Sequence, residues 1–387
     1  MAIYFDNSAT TPIDPRVYEA MIPYFKDKYA NPSSIHKLGR IIKEDINSAR
    51  TRIASLINAD EDEIIFTGSG SESNNLAIKG IAFARKYKGN HIITSSIEHK
   101  AVLQTCKWLE NYGFEVTYLP VNKEGLINID DLRSHIKSST ILISIMLANN
   151  EIGTLQPISE ITELLKNKNI IVHTDAVQAA GKMTIDVADL GVDLLTFSGH
   201  KIYAPKGIGI LYISDFLKNE IIPLVHGGGH EFGLRAGTEN VPYIIGLAKA
   251  CDIIEDNLTE ETRKIREMRD KFETLILKNI PGTYVNGANA PRICNISNIA
   301  FKYIEGEALM VYASDICCST GSACTSDDGP SHVLRAMKID PIDIHGSLRF
   351  SFGRFNNIDE VDRAVEIIKE SVTKLREFSP LYDKNAY

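Results

Sequence analysis

The sequence predicts an α/β fold: a large domain with a mostly parallel sheet flanked by helices, and a smaller α+β domain. Three observations predict it. Short β-rich runs at 64–67, 91–94, 115–119, 141–146, 170–173, 194–197 and 208–213 are mostly apolar throughout, as strands buried on both faces are. Helix-length segments at 71–87, 100–111 and 158–168 lie between several of them, the β-α-β rhythm of a parallel sheet. The chain has 387 residues, more than one ordinary core accommodates, so two domains are expected.

Before the first strand, Ile35, Leu38, Ile42, Ile46, Ala49, Ile53 and Leu56 recur at steps of three or four, which predicts an amphipathic helix. After about residue 240 the texture changes. A long helical region covers 241–280, charged in its second half. Strands are expected at 293–301, 315–319 and 347–352, and helices at 305–313, 332–337 and 358–378. The boundary is placed at 256: residues 16–256 form the large domain, and 1–15 with 257–387 form the small one.

Apolar residues make up 44% and charged residues 24%, the balance of a soluble globular protein. The net charge is −8 without a basic block, so no nucleic-acid footprint is expected. No run approaches the roughly 20 apolar residues of a membrane span. The N-terminus carries no basic, apolar leader. The six cysteines are scattered without a CxxC pair, which argues against a disulfide framework or a structural zinc site. Together these features predict a reducing, cytoplasmic setting.

Thr196-Phe-Ser-Gly-His-Lys201 leaves an apolar strand and enters a loop, where open α/β sheets bind ligands. A lysine there can form a Schiff base with an aldehyde cofactor, although most lysines are simply exposed. Val172-His-Thr-Asp-Ala-Val-Gln178 ends a second apolar strand in Asp175. A carboxylate there can hold a pyridine nitrogen protonated; a helix N-cap is the plainer alternative. Phe66-Thr-Gly-Ser-Gly-Ser-Glu-Ser73 runs through Gly68 and Gly70 into a predicted helix. That arrangement can cradle a phosphate or be a glycine turn with Ser71 as the cap. It is neither a Walker loop nor a GxGxxG fingerprint.

These motifs, in order, resemble the cysteine desulfurases of the NifS/IscS type, within the class V aminotransferase group. The resemblance runs from Tyr4-Phe-Asp-Asn-Ser-Ala-Thr-Thr-Pro12 and Ala30-Asn-Pro-Ser-Ser34 through the glycine loop, Ile97-Glu-His99, Ala148-Asn-Asn-Glu-Ile-Gly153 and the two strand ends. Gly227–Thr238, Ser322-Ala-Cys-Thr-Ser326 and Leu348-Arg-Phe-Ser351 complete it.

The resemblance implies the type I fold of pyridoxal-phosphate transferases, with pyridoxal 5'-phosphate on Lys201. Asp175 would pair with the pyridine nitrogen, and His99 would stack on the ring and assist proton transfer. Gln178 and Asn150 would contact the cofactor's phenolic oxygen or the substrate. Gly70, Ser71, Ser198 and His200 would hold the phosphate, and Thr238 would reach the phosphate of a partner subunit, implying a homodimer. Arg349 would grip the carboxylate of L-cysteine, since a guanidinium fork binds both oxygens at once. Cys324, in a small, polar loop at about 319–329, would take the sulfur as a persulfide and release alanine. The persulfide would pass to an iron–sulfur scaffold or another sulfur-acceptor protein. No resident metal is implied; Cys324 is a candidate transient cluster ligand when a scaffold docks. Cys106, Cys251, Cys294, Cys317 and Cys318 read as structural.

Ala204, Ser71 and His230 depart from the family's usual glycine, threonine and glutamine. Transamination or selenocysteine cleavage on the same fold needs Lys201 and Asp175 but not Cys324. A non-catalytic component of a sulfur-transfer assembly could tolerate loss of Lys201, which is present here.

Overall fold

The computed structural model describes residues 2–320, 330–380 and 382. Strands in chain order are β1 (Ile3–Tyr4), β2 (Ile64–Thr67), β3 (His91–Ser95), β4 (Glu115–Leu119), β5 (Thr140–Ser144) and β6 (Ile171–Asp175). Then come β7 (Leu194–Ser198), β8 (Gly209–Ile213), β9 (Thr283–Val285), β10 (Ile296–Phe301), β11 (Ile316–Cys317) and β12 (Ser347–Ser351).

Seven of them form one sheet in the order β2-β8-β7-β6-β5-β3-β4. The five strands β3 to β7 run parallel, and β8 lies antiparallel between β2 and β7. Every residue of β3, β5, β6, β7 and β8 is buried, whereas the edge strand β4 is half open. Helices on both faces account for the continuous apolar runs.

Two buried histidines stitch the strands laterally. His91 Nδ1 and Nε2 lie 2.8 and 2.9 Å from the hydroxyls of Thr140 and Thr117. His173 contacts Ser144 and Thr196 at 2.8 and 3.1 Å, and burial holds its imidazole down at about 3. Hydroxyls on both sides serve a neutral ring, because each can donate or accept.

A second core gathers around a three-stranded sheet ordered β12-β10-β9. Phe5, Phe272, Phe301, Phe350 and Phe352 are fully buried there with ring centroids 4.6–6.4 Å apart, within the aromatic-pair range. β1 pairs in parallel with β11, Ile3 opposite Ile316, so the chain start joins this second core. The helix Val241–Asn279 spans both cores: Ile244 and Leu247 pack in the first, and Met268, Phe272 and Ile276 in the second.

Several local expectations change. The early amphipathic helix is Lys37–Ser55, but Ile35 is 92% and Leu38 56% exposed. Its buried stripe therefore begins at Ile42. The glycine-loop helix starts at Gly70, and Ser69, not Ser71, caps it by accepting from Glu72 N. Ser69 wins because its backbone is still extended, so its hydroxyl can turn back on the first free amides. The helix Pro15–Lys26, capped by Asp14, was not expected. Asp14-Pro15 is a start signal, obscured by a second proline at position 23. Near the departure at Ala204, the left-handed residue is the preceding Tyr203, with φ 65°.

The turn at Glu231-Phe232 has φ of 47° and 54°, a strained conformation for non-glycine residues. It is held by Glu231, whose carboxylate takes bonds from Arg50 at 2.8 and 2.7 Å and from Phe66 N at 2.7 Å. The pair is almost fully buried. Removing one partner strands the other charge, so Arg50→Met is expected to cost about 3–5 kcal/mol, and Arg50→Met with Glu231→Leu much less. Urea unfolding of both variants checks this.

Candidate active site

Parallel strands send all their carboxyl ends to one edge of the sheet. The ends of β3, β5, β6 and β7 therefore converge there: His99, Asn150 and Lys201 follow β3, β5 and β7, and Asp175 is the last residue of β6. Asp175 stands opposite Thr196 in the β6–β7 register. The charges of both Asp175 and Lys201 act on the His99 ring, which burial drives below its ordinary pKa.

Lys201 ends the short turn Gly199–Lys201. Its Nζ donates to the carbonyls of Ser8 and Ala9 at 2.6 and 2.7 Å. Gln178 Nε2 donates to the same Ser8 carbonyl at 3.1 Å. His200 Nδ1 lies 3.2 Å from Thr10 Oγ1, and burial, with Lys201 beside it, lowers the imidazole to about 4. A segment 170 to 193 residues upstream thus forms the floor under all three.

Asp175 is 4% exposed. Its Oδ2 accepts from Asn74 Nδ2 at 2.7 Å, and its Oδ1 accepts from Val177 N at 2.9 Å. It closes a turn rather than capping a helix, since no helix begins at 176. Asn74, buried in the glycine-loop helix, went unread in the sequence. The available signal was a polar side chain at a core-facing position of an otherwise apolar helix face.

The helix Gly70–Ala84 points its amino end at this edge, where free amides and the helix dipole favour an anion. A Cβ on Gly70 would stand 2.9 Å from Val177 Cγ2 and 3.3 Å from Ser198 Cβ, so only glycine allows this approach. Ser198 is buried, while Ser71 and Thr238 are exposed. Arg235 ties the Thr238 turn to the glycine loop: its Nε meets Glu72 Oε1 at 3.0 Å, and Glu72 Oε2 accepts from Gly68 N at 2.8 Å.

Arg349 comes from β12. Its Nη1 donates to the carbonyl of Asn150 at 2.9 Å, and its Nη2 to Asp6 Oδ1 at 2.9 Å. Asn150 therefore meets Arg349 through its backbone. Glu98 was also missed. It is fully buried, and its Oε1 accepts from Ser95 Oγ at 2.6 Å and Met146 N at 3.0 Å. It welds the ends of β3 and β5 directly before His99, and burial pushes its carboxyl up to about 8. His332 Nε2 reaches the Glu98 carbonyl at 3.0 Å. Cys324 and residues 321–329 of the expected loop lie outside the described residues. Cys106, Cys251, Cys294 and Cys318 are buried and Cys317 is half-buried.

The sequence pattern of the family described as Aminotransferase class-V matches residues 3–364. The chain belongs to the class-V aminotransferase family. Among its family relatives, "Cysteine desulfurase IscS" of Methanosarcina thermophila is 53% identical over 386 residues, covering 99% of this chain and 95% of that one. A solved structure described as "NIFS-LIKE PROTEIN" superposes with a TM-score of 0.91 at 38% identity, covering 97% of this chain and all of the other. Another, "SspA in complex with cysteine", has a TM-score of 0.81 at 39% identity, covering 92% and 99%.

The residues of this class-V chain suit pyridoxal phosphate. The Asn74, Asn150 and Ser8 side-chain oxygens Oδ1, Oδ1 and Oγ are buried without a partner among the described residues, and such orphans call for a polar ligand. The Gly70 approach could cradle a phosphate, the Asp175 carboxylate could pair with a protonated ring nitrogen, and Lys201 could supply an amine.

Proposed function

We propose that this chain is a cysteine desulfurase, a pyridoxal-phosphate-dependent sulfurtransferase that converts L-cysteine to L-alanine and delivers the sulfur for iron–sulfur cluster assembly or other sulfur transfer. Its relatives over nearly the whole chain carry that name. What supports the residue assignment is that Asp175 and Lys201 stand at the ends of the neighbouring strands β6 and β7, while Arg349 bonds the carbonyl of Asn150 beyond β5.

Bound pyridoxal phosphate supplies an electron sink for the substrate's α- and β-carbons. Lys201 holds it covalently and moves the proton at the α-carbon. Asp175, oriented by Asn74 and Val177 N, keeps the ring nitrogen protonated. Gly70, Ser71, Ser198 and His200 hold the phosphate, His99 covers the ring, and Gln178 and Asn150 orient the ring oxygen or the substrate. Arg349 fixes the substrate carboxylate. The Cys324 thiolate attacks the substrate sulfur; the new S–S bond forms as C–S breaks, leaving a persulfide on the enzyme and alanine as product.

We assign residues 16–256 to the cofactor-binding domain, and residues 1–15 with 257–387 to the domain bearing Cys324. The enzyme works as a cytoplasmic homodimer in which Thr238 serves the partner's phosphate, and an iron–sulfur scaffold or another acceptor thiol takes the sulfur. No helix among the described residues is long and apolar enough to cross a membrane.

Purified holoenzyme given L-cysteine and a reductant is expected to release sulfide and alanine in equal amounts. Alanine without sulfide, or neither product, would refute the assignment.

A further inference from the structure

We propose that Asp6 is a specificity-determining residue: by occupying part of the Arg349 fork, it sets how tightly the enzyme holds an amino-acid carboxylate. The inference rests on the reading of Arg349 as the residue that grips that carboxylate.

The Arg349 side chain is 6% exposed and that of Asp6 19%. Asp6 engages the fork through a single oxygen on Nη2, at 2.9 Å. Nη1 is spent on the Asn150 carbonyl. Nε is buried without a partner among the described residues. A carboxylate in its preferred geometry takes two parallel N–H groups, so Asp6 makes half of such a pair and leaves a buried donor unsatisfied. An incoming carboxylate can supply the missing acceptor, but it must share the guanidinium with an anion already there.

The Asp6 backbone is fixed beside the fork. It bridges to Ser351, and its carbonyl accepts from Ala9 N at 3.0 Å and Thr10 N at 3.4 Å. That turn leads into the Ser8–Ala9 carbonyls that hold Lys201. A resident anion has two consequences. It keeps a buried guanidinium from being an uncompensated charge, and it weakens every carboxylate ligand by like-charge repulsion, so the alanine product leaves readily. If Asp6 served only to aim Arg349, its removal would weaken ligand binding, the opposite sign.

The test uses holoenzyme and isothermal titration calorimetry with L-alanine, which binds without turnover, and with L-alaninamide, which lacks the carboxylate charge. Asp6→Asn keeps an oxygen for Nη2 and removes the charge. It is expected to tighten L-alanine binding about tenfold, leave L-alaninamide unchanged, and lower KM for L-cysteine in step. Asp6→Glu retains the charge and should stay within about twofold of the parent. Unchanged or weaker L-alanine binding in Asp6→Asn overturns the proposal, as does equal tightening of L-alaninamide or tightening in Asp6→Glu. Arg349→Lys is the separate control. It should weaken L-alanine, and unaltered binding there would show that the carboxylate site itself is misplaced, whatever Asp6 does.

Discussion

Lys201→Ala is expected to lose the covalent hold on pyridoxal phosphate completely and to lower turnover of L-cysteine by at least about a thousandfold, the upper range for a positioned acid–base group. Two readouts check it. In the parent, borohydride treatment should fix the cofactor to the chain, and denaturing gel filtration should carry both together. In Lys201→Ala the cofactor should separate under the same conditions. Lys201→Arg should fail equally, because a guanidinium remains protonated and cannot form the linkage. The environment supports this role. The ammonium is held by two backbone carbonyls, both from a segment remote in sequence, so the amine has a defined position before any cofactor arrives. Retention of the cofactor after denaturation of Lys201→Ala would place the linkage elsewhere.

Cys324→Ala is expected to keep the bound cofactor and its yellow colour, and still to bind L-cysteine. Sulfide release should fall by roughly a thousandfold or more, the scale for loss of a nucleophile. The phenotype thus differs from Lys201→Ala in the cofactor: its covalent hold stays intact while sulfur transfer is gone. Cys324→Ser should behave alike, since a serine hydroxyl cannot form the S–S bond. Four of the other five cysteines offer poor substitutes. Cys106, Cys251, Cys294 and Cys318 are buried, and burial pushes each thiol above its ordinary pKa, which keeps it from the reactive thiolate form. Sulfide release persisting in Cys324→Ala would move the nucleophile to another residue, and persulfide mapping by mass spectrometry would find it.

Much of the sheet was legible because its strands are apolar on both faces and bounded by turn residues. Glu115–Leu119 and the helix Ile358–Phe378 fall where the pattern puts them, while β3, β5, β6 and β7 differ from expectation by only a residue or two at their ends. Weak local signals were lost: the three-residue strand Thr283–Val285 and the helix Ile129–His135 have too few periodic positions to stand out. Ile35 and Leu38 misled for another reason. Periodicity marks an apolar stripe but not where its cover ends.

In the site, the strand-end motifs directed attention to Asp175 and Lys201, since a ligand site at the carboxyl edge of a parallel sheet is a local consequence of the β-α-β pattern. Their supporting partners were not legible. Asn74 lies 101 residues from Asp175, Ser8 lies 193 from Lys201, and Asp6 lies 343 from Arg349.

By itself the sequence determined the parallel α/β architecture, the residue types able to hold a phosphorylated aldehyde, and the membership of the chain in its family. Only the tertiary structure decided which carbonyls cradle Lys201, which carboxylate shares Arg349, and that Glu98 braces the strand before His99. Periodicity and turn chemistry act over a few residues and are written along the chain. A hydrogen bond between distant segments exists only after the cores have packed and brought them within 3 Å or so of each other.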